Sequence, residues 1–143
     1  MQTTGFQEAV EAVSREDKRF HADAYLFLRD AIEATLKRRK KETKELGGHV
    51  AAAELLEGFR LHALGEFGPM AMTVFDYWGV RCTEDVGCMV FNLVQAGVFG
   101  KTDEDTIEAF AGGFDFRAAF VIPFTSGKNP LNVPGSNEVR SGE

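Results

Sequence analysis

Apolar side chains recur along this chain mostly at three- and four-residue intervals, the spacing that lines one face of an α-helix. Phe6, Val10 and Val13 predict a short first helix over residues 6 to 15. Over residues 22 to 39, Tyr25, Leu28, Ile32, Thr35 and Leu36 share one face, and Ala24, Phe27, Ala31 and Ala34 fill an adjoining stripe. A stripe that wide predicts burial against two neighbours. The strongest pattern begins at His49: Ala52, Leu55, Leu56, Phe59, Ala63 and Phe67 define a face, while Glu54, Glu57, Arg60 and Glu66 lie off it.

Helix breakers divide these runs. Gly47-Gly48 ends the second pattern, and Gly68-Pro69 ends the third. Proline has no amide to leave unpaired in a first helical turn, so a new helix is expected there, running to Trp78 with Met70, Met72, Val74, Phe75 and Trp78 available for packing. Gly79 closes it. Thr83 ahead of Glu84 and Asp85 reads as a hydroxyl cap with acids in the first turn, where they favour the amide end of the dipole. Val86, Met89, Val90, Leu93 and Val94 continue that helix, and Gly97 suits a left-handed cap. Thr102 with Asp105 resembles a capping box and predicts a short helix over residues 103 to 110, ended by Gly112-Gly113.

Residues 114 to 124 read two ways. Phe114, Phe116, Phe120, Ile122 and Phe124 share the parity of a half-buried strand, yet Asp115 also suits a cap on a helical turn carrying Phe116 and Phe120. The fold class is therefore mainly α: a compact multi-helix domain over residues 1 to 124. A winged-helix-like arrangement with a short two-stranded β element is the finer expectation, residues 98 to 102 and 114 to 116 supplying the wing. Residues 125 to 143 carry little to bury and are expected to form a disordered tail.

Composition narrows this reading in a few places. A chain of 143 residues fits one domain, and at that size folding hides roughly two-thirds of the unfolded surface. Thirteen Phe against one Trp and two Tyr supply apolar area with no polar tip, suited mainly to a core and in part to a partner-facing surface. Cys82 and Cys88 lack the close spacing of a zinc or redox pair, so reduced thiols are expected. No apolar run approaches the roughly 18 residues of a membrane span, and the amino terminus lacks an apolar signal core, so a cytoplasmic location without membrane contact is expected. Net charge is −6, unevenly placed: residues 1 to 46 hold ten cations and nine acids, a net +1, whereas residues 47 to 143 hold six and thirteen, a net −7. An acidic body repels phosphate backbones and counts against nucleic acid as the main partner.

Residues 49 to 60, continuing through Phe67-Gly68-Pro69-Met70-Ala71 to Trp78-Gly79, resemble the Minf-type family of bacterial conserved hypothetical proteins. So do Thr83, Asp85, Gly87, the run Val90-Phe91-Asn92-Leu93-Val94 with Gly97, and Phe114-Asp115-Phe116 with Ala119-Phe120. The resemblance covers roughly residues 20 to 124. One departure is Val86, where the family more often places an aromatic residue. That family carries no assigned activity, so the resemblance implies a name and no mechanism, cofactor or site.

Candidate chemistry is sparse. His49 and His62 lie thirteen residues apart on one predicted helix, roughly 20 Å of rise, which prevents them from sharing a metal. Asp103-Glu104-Asp105 lacks the glycine turn and distal acid of a calcium loop, Gly47-Gly48 lacks the sequel of a phosphate loop, and no nucleophile elbow is present. No catalytic, cofactor or metal residue is assigned. Lys37, Arg38, Arg39, Lys40, Lys41 and Lys44 form a basic run able to grip phosphates or acidic partners, although cations at a helix carboxyl end also simply complement its dipole. Were the third helix of a winged-helix-like core to face DNA, it would present Glu84, Asp85, Asn92 and Gln95, the wrong charge for that work. The leading expectation is a non-enzymatic module that binds a protein partner or a second copy of itself. Nucleic-acid binding through residues 37 to 44, and an enzyme whose site is assembled only in space, are the alternatives.

Overall fold

The structure is a computed structural model that describes residues 3–43, 50–99 and 106–125. Its elements in order are α1 (Thr3–Glu16), α2 (Ala22–Thr43), α3 (Ala52–Phe67), a 3-10 turn (Gly68–Met70), α4 (Ala71–Trp78), α5 (Thr83–Gln95), a second 3-10 turn (Ile107–Phe110), α6 (Phe116–Phe120) and α7 (Ile122–Thr125). The mainly helical expectation holds. Each long helix begins and ends within a few residues of where the apolar pattern starts and a breaker falls, because burial of a stripe stabilises a helix more than local propensity does.

The pair α2 and α3 forms the spine. Gly58 is what lets them approach: a Cβ placed there would lie 1.8 Å from the Thr35 hydroxyl oxygen. Thr35 is buried, and its hydroxyl donates back to the Ala31 carbonyl at 2.8 Å, so this small polar contact is satisfied within α2. Above it, Phe27 sits at the hub of an aromatic cluster, with ring centroids of Phe59, Phe67, Phe75 and Trp78 at 5.2, 5.3, 5.7 and 5.6 Å. Phe75 carries the cluster on to Phe116 at 5.5 Å and Phe120 at 5.2 Å. Offset and edge-on pairs of this kind add about 0.5–1.5 kcal/mol each beyond the area they hide. The wide stripe on α2 is thus explained: it packs against α3 and also against α1 and α4.

Gly79 ends α4 with φ of 84°, and a Cβ there would lie 2.0 Å from the Arg19 carbonyl oxygen. The chain turns where the loop before α2 presses on it, and the His21 amide donates to the Trp78 carbonyl at 3.0 Å. Gly97, with φ of 87°, closes α5 as its position suggested: its amide reaches Val94, and the Val98 amide reaches Leu93.

Three local expectations change. The residue capping α5 is Cys82, and Thr83 is the first helical residue; its hydroxyl instead donates to the Phe110 carbonyl at 2.6 Å and accepts the Gly113 amide at 3.0 Å. Thr83 is therefore the latch that holds the second 3-10 turn against α5, with Phe110 packed on Gly87. The strand reading of residues 114 to 124 gives way to helix: the Asp115 carboxylate accepts the Ala118 amide at 2.9 Å and caps α6, so Phe116 and Phe120 point together into the core. No strand occurs among the described residues, and Val98 and Phe99 pack on the core without pairing, so the two-stranded wing and the winged-helix-like arrangement built on it are not supported. Of the short helix expected over residues 103 to 110, only the 3-10 turn at its end is described; Thr102 to Asp105 and the tail beyond Thr125 lie outside the described residues.

Candidate functional site

The basic run sits at the carboxyl end of α2, and the fold sorts its cations into two groups. Arg39 faces α3 and grips Glu54 with two bonds, Nε to Oε2 at 3.0 Å and Nη2 to Oε1 at 2.6 Å, its side chain only 13% exposed. Arg38 also points toward α3, its guanidinium close to Gly58 and adding to the field on Glu57. Glu57 is held below the usual carboxylate range chiefly by Arg60, which donates to both of its oxygens at 3.0 and 2.6 Å. Lys37, Lys40 and Lys41 face solvent and make no ion pair among the described residues. Lys44 lies outside the described residues. Of the expected six-cation patch, then, Arg39 serves the α2–α3 contact, and three lysines are free to meet an outside anion.

A second surface emerges on α4. Its inner side, Ala71 and Phe75, is buried, whereas Met70, Thr73, Asp76 and Tyr77 recur at helical spacing on the outer side. Met70 is 55% exposed and Tyr77 74% exposed, the largest values for big apolar side chains among the described residues. The pattern grouped Met70 with packing residues; it stands in solvent instead, at the end of the Gly68–Met70 3-10 turn. The His21 ring rests 5.3 Å from that of Tyr77. His21 is held there by capping α2, its Nδ1 accepting the Asp23 amide at 3.0 Å. At the helix end Arg81 approaches Asp76 at 3.7 Å, both side chains more than half exposed.

All thirteen Phe fall within the described residues, and none is exposed. Eight are buried and five half-buried, so the Phe surplus builds the core and its margin.

The remaining polar concentration ties α1, α2 and α5 together. Asp17 accepts from Arg19 Nε at 2.9 Å and Nη2 at 2.7 Å and from Asn92 Nδ2 at 3.1 Å; Asn92 Nδ2 also reaches the Tyr25 hydroxyl at 3.0 Å. Arg19 is the main reason the Asp17 carboxyl titrates far below its ordinary range, burial working against it and Asn92 with it. Burial raises Tyr25. A shallow cleft of about 190 Å³ opens beside this node between the last turns of α1 and α5, lined by Ala12, Val13, Glu16, Asp17, Asn92 and Gln95 among others. Asp17 and Asn92 satisfy each other and Arg19, which makes the node a lock between helices.

The other residues with chemical potential are dispersed. His62 is half-buried with its ring 5.1 Å from Phe27, and His49 lies outside the described residues. Cys82 and Cys88 are not linked to each other, and burial raises the Cys82 thiol. Among the described residues no three His, Cys, Asp or Glu gather closely enough to hold a metal ion, and no helix is long and apolar enough to cross a membrane. No protein-family model, curated protein or solved structure matches the chain.

The α4 face was not singled out by sequence pattern, although a signal existed. Met70, Thr73 and Tyr77 fall at positions i, i+3 and i+7, opposite the Ala71–Phe75 pair, and an aromatic and a thioether on the polar arc of a helix are unusual enough to mark it.

Proposed function

We propose that this chain is a non-enzymatic protein-interaction module whose contact surface is the outer face of α4. The observation that carries the reading is the placement of Met70 and Tyr77, the two most exposed large apolar side chains among the described residues, on one solvent-facing arc, whereas the other two exposed ones, Ile107 and Ile122, lie singly in two separate elements. Tyr, Met and Arg are the residue types enriched where protein surfaces meet, since a Tyr ring offers broad contact area for little rotamer entropy. His21 and the Asp76–Arg81 pair supply a polar border. Membership of the Minf-type family, on the motifs between residues 49 and 120, is part of the proposal and assigns no activity.

The experiment that tests the reading compares the wild-type chain with Met70→Ser/Tyr77→Ser in light scattering and in affinity capture from cells. The expected result is an assembly or a captured protein that the double variant loses while its circular dichroism stays unchanged. A strictly monomeric wild type that captures nothing contradicts the reading.

A second reading has its own observation: Lys37, Lys40 and Lys41 are exposed and form no ion pair with an acid among the described residues. On this reading the lysines meet an anionic polymer, with an affinity that falls steeply with salt and is lost in Lys37→Ala/Lys40→Ala/Lys41→Ala. The absence of any mobility shift of labelled single- or double-stranded DNA at low salt rules it out.

A further inference from the structure

His21 joins the end of α4 to the start of α2. Its amide donates to the carbonyl of Trp78, the last residue of α4, at 3.0 Å, and its own carbonyl accepts the Ala24 amide at 3.0 Å in the first turn of α2. Its ring caps α2, Nδ1 accepting the Asp23 amide at 3.0 Å, and lies 5.3 Å from the Tyr77 ring of α4. A ring nitrogen accepts a hydrogen bond only while it carries no proton, so this cap requires a neutral imidazole with its proton on Nε2. Ser, Thr, Asn and Asp, which ordinarily fill this position, keep one charge state between about pH 5 and 8, whereas an imidazole changes its charge there. The same Nδ1 lies 3.8 Å from Asp23 Oδ2, within reach of a hydrogen bond after a small turn of the ring, and the side chain is 39% exposed, open to protons from water.

We propose that His21 is a proton-operated switch at the junction of α2 and α4. In the neutral state Nδ1 accepts the Asp23 amide, closes the first turn of α2 and leaves the ring against Tyr77. In the protonated state Nδ1 becomes a donor, releases that amide and turns to the Asp23 carboxylate, moving the imidazole relative to the Tyr77 ring. The charges on each side set the balance. From α2, the Asp23 carboxylate favours the cation and the amide end of the helix opposes it. From α4, the carbonyl end at Trp78 and the face of the Tyr77 ring both favour it. Asp76, beside Tyr77, approaches Arg81 at 3.7 Å, and in the loop before His21 the Arg19 guanidinium is bound by Asp17 at 2.7 Å, so these four charges offset one another in two pairs. The switch goes beyond the interaction reading: it is a property of the chain alone and stands whether or not the α4 face takes a partner.

Nuclear magnetic resonance of the full-length chain, titrated from about pH 8 to about pH 5.5, tests the switch. At the upper end nitrogen-15 spectra are expected to show the His21 proton on Nε2 and Nδ1 bare. As the ring takes up its second proton, the Asp23 amide loses hydrogen-exchange protection by about fivefold, the loss of one cap, once the intrinsic pH dependence of exchange is divided out. The Tyr77 ring signals move with the same midpoint. His21→Asn supplies a cap that does not titrate and holds the Asp23 protection level across the range, whereas His21→Ala lacks the cap at both ends. Asp23→Asn removes the anion that favours the cation, so the His21 midpoint falls to lower pH, a shift that a merely structural cap does not show. Circular dichroism confirms that each variant is folded. A neutral His21 ring protonated on Nδ1, an Asp23 amide equally protected at both ends in the wild type, a pH dependence that persists in His21→Asn, or a midpoint unmoved in Asp23→Asn overturns the proposal.

Discussion

Replacing Gly58 by alanine puts one methyl group where α2 and α3 come nearest. An ideal Cβ there lies 1.8 Å from the Thr35 hydroxyl oxygen and 3.0 Å from the Thr35 Cβ, so the helices must separate or Thr35 must leave its rotamer. Thr35 is buried and bonded to the Ala31 carbonyl, so neither adjustment is free. Overpacking a well-fitted contact costs about 1–3 kcal/mol. Opposing that, alanine gains about 1 kcal/mol over glycine inside a helix. The net expectation is a loss of up to about 2 kcal/mol, or a fall in midpoint of up to roughly 8 °C for a domain of this size. Urea unfolding followed through Trp78, the single tryptophan and a member of the adjoining aromatic cluster, reads the loss. The control is the same substitution in a Thr35→Ala background, where the 1.8 Å contact no longer exists. There the helical gain dominates and Gly58→Ala becomes neutral or stabilising, a coupling of about 1–3 kcal/mol between the sites. A Gly58→Ala chain stabilised in the wild-type background, or one that costs the same in both, refutes the close approach of the two helices.

Other expectations follow the same logic. Thr83→Val keeps shape but strips both partners from the Phe110 carbonyl and the Gly113 amide, costing about 2–3 kcal/mol in urea titration, whereas Thr83→Ser keeps both bonds and costs about 1 kcal/mol or less; equal losses contradict the latch. Asp17 titrates below its unfolded value, so its contribution to stability is complete above the ordinary carboxylate range near about 3.9 and declines as pH falls below it. Asp17→Asn should lower stability at pH 7 by about 1–2 kcal/mol and flatten the acid limb below about pH 4, and an unchanged acid limb argues against the node. Arg39→Ala should cost about 1–2 kcal/mol through loss of the Glu54 grip while Lys40→Ala stays within about 0.5 kcal/mol; similar thermal midpoints for the two deny the sorting of the basic run.

The long helices were legible because burial writes a periodic record. Leu55, Leu56, Phe59 and Ala63 sit on α3 where a 3.6-residue repeat requires them, and Gly79 and Gly97 end helices for the steric reason that made them visible. Where the pattern is short, it fails. Five aromatic or apolar residues of even parity between 114 and 124 fit a strand and a helical turn equally, and the choice is made by one hydrogen bond from Ala118 to Asp115. Thr83 shows a different limit: a hydroxyl before two acids looks like a cap, and only the distant Phe110 and Gly113, brought alongside by the fold, reveal another task. The basic run was legible as charge but not as function, since its division depends on Glu54 and Glu57 arriving opposite Arg39 and Arg38 when α2 and α3 pair. Tyr77 was the least visible, because exposure is a property of what the neighbours leave uncovered.

The most direct test of the α4 face as a contact surface is hydroxyl-radical footprinting of the full-length protein at rising concentration, read at Tyr77 and Met70 by mass spectrometry. Progressive protection of both residues, with Ile107 and Ile122 oxidised equally at every concentration, is the predicted result. Oxidation of Tyr77 and Met70 that changes neither across the concentration range nor on addition of cell extract contradicts it.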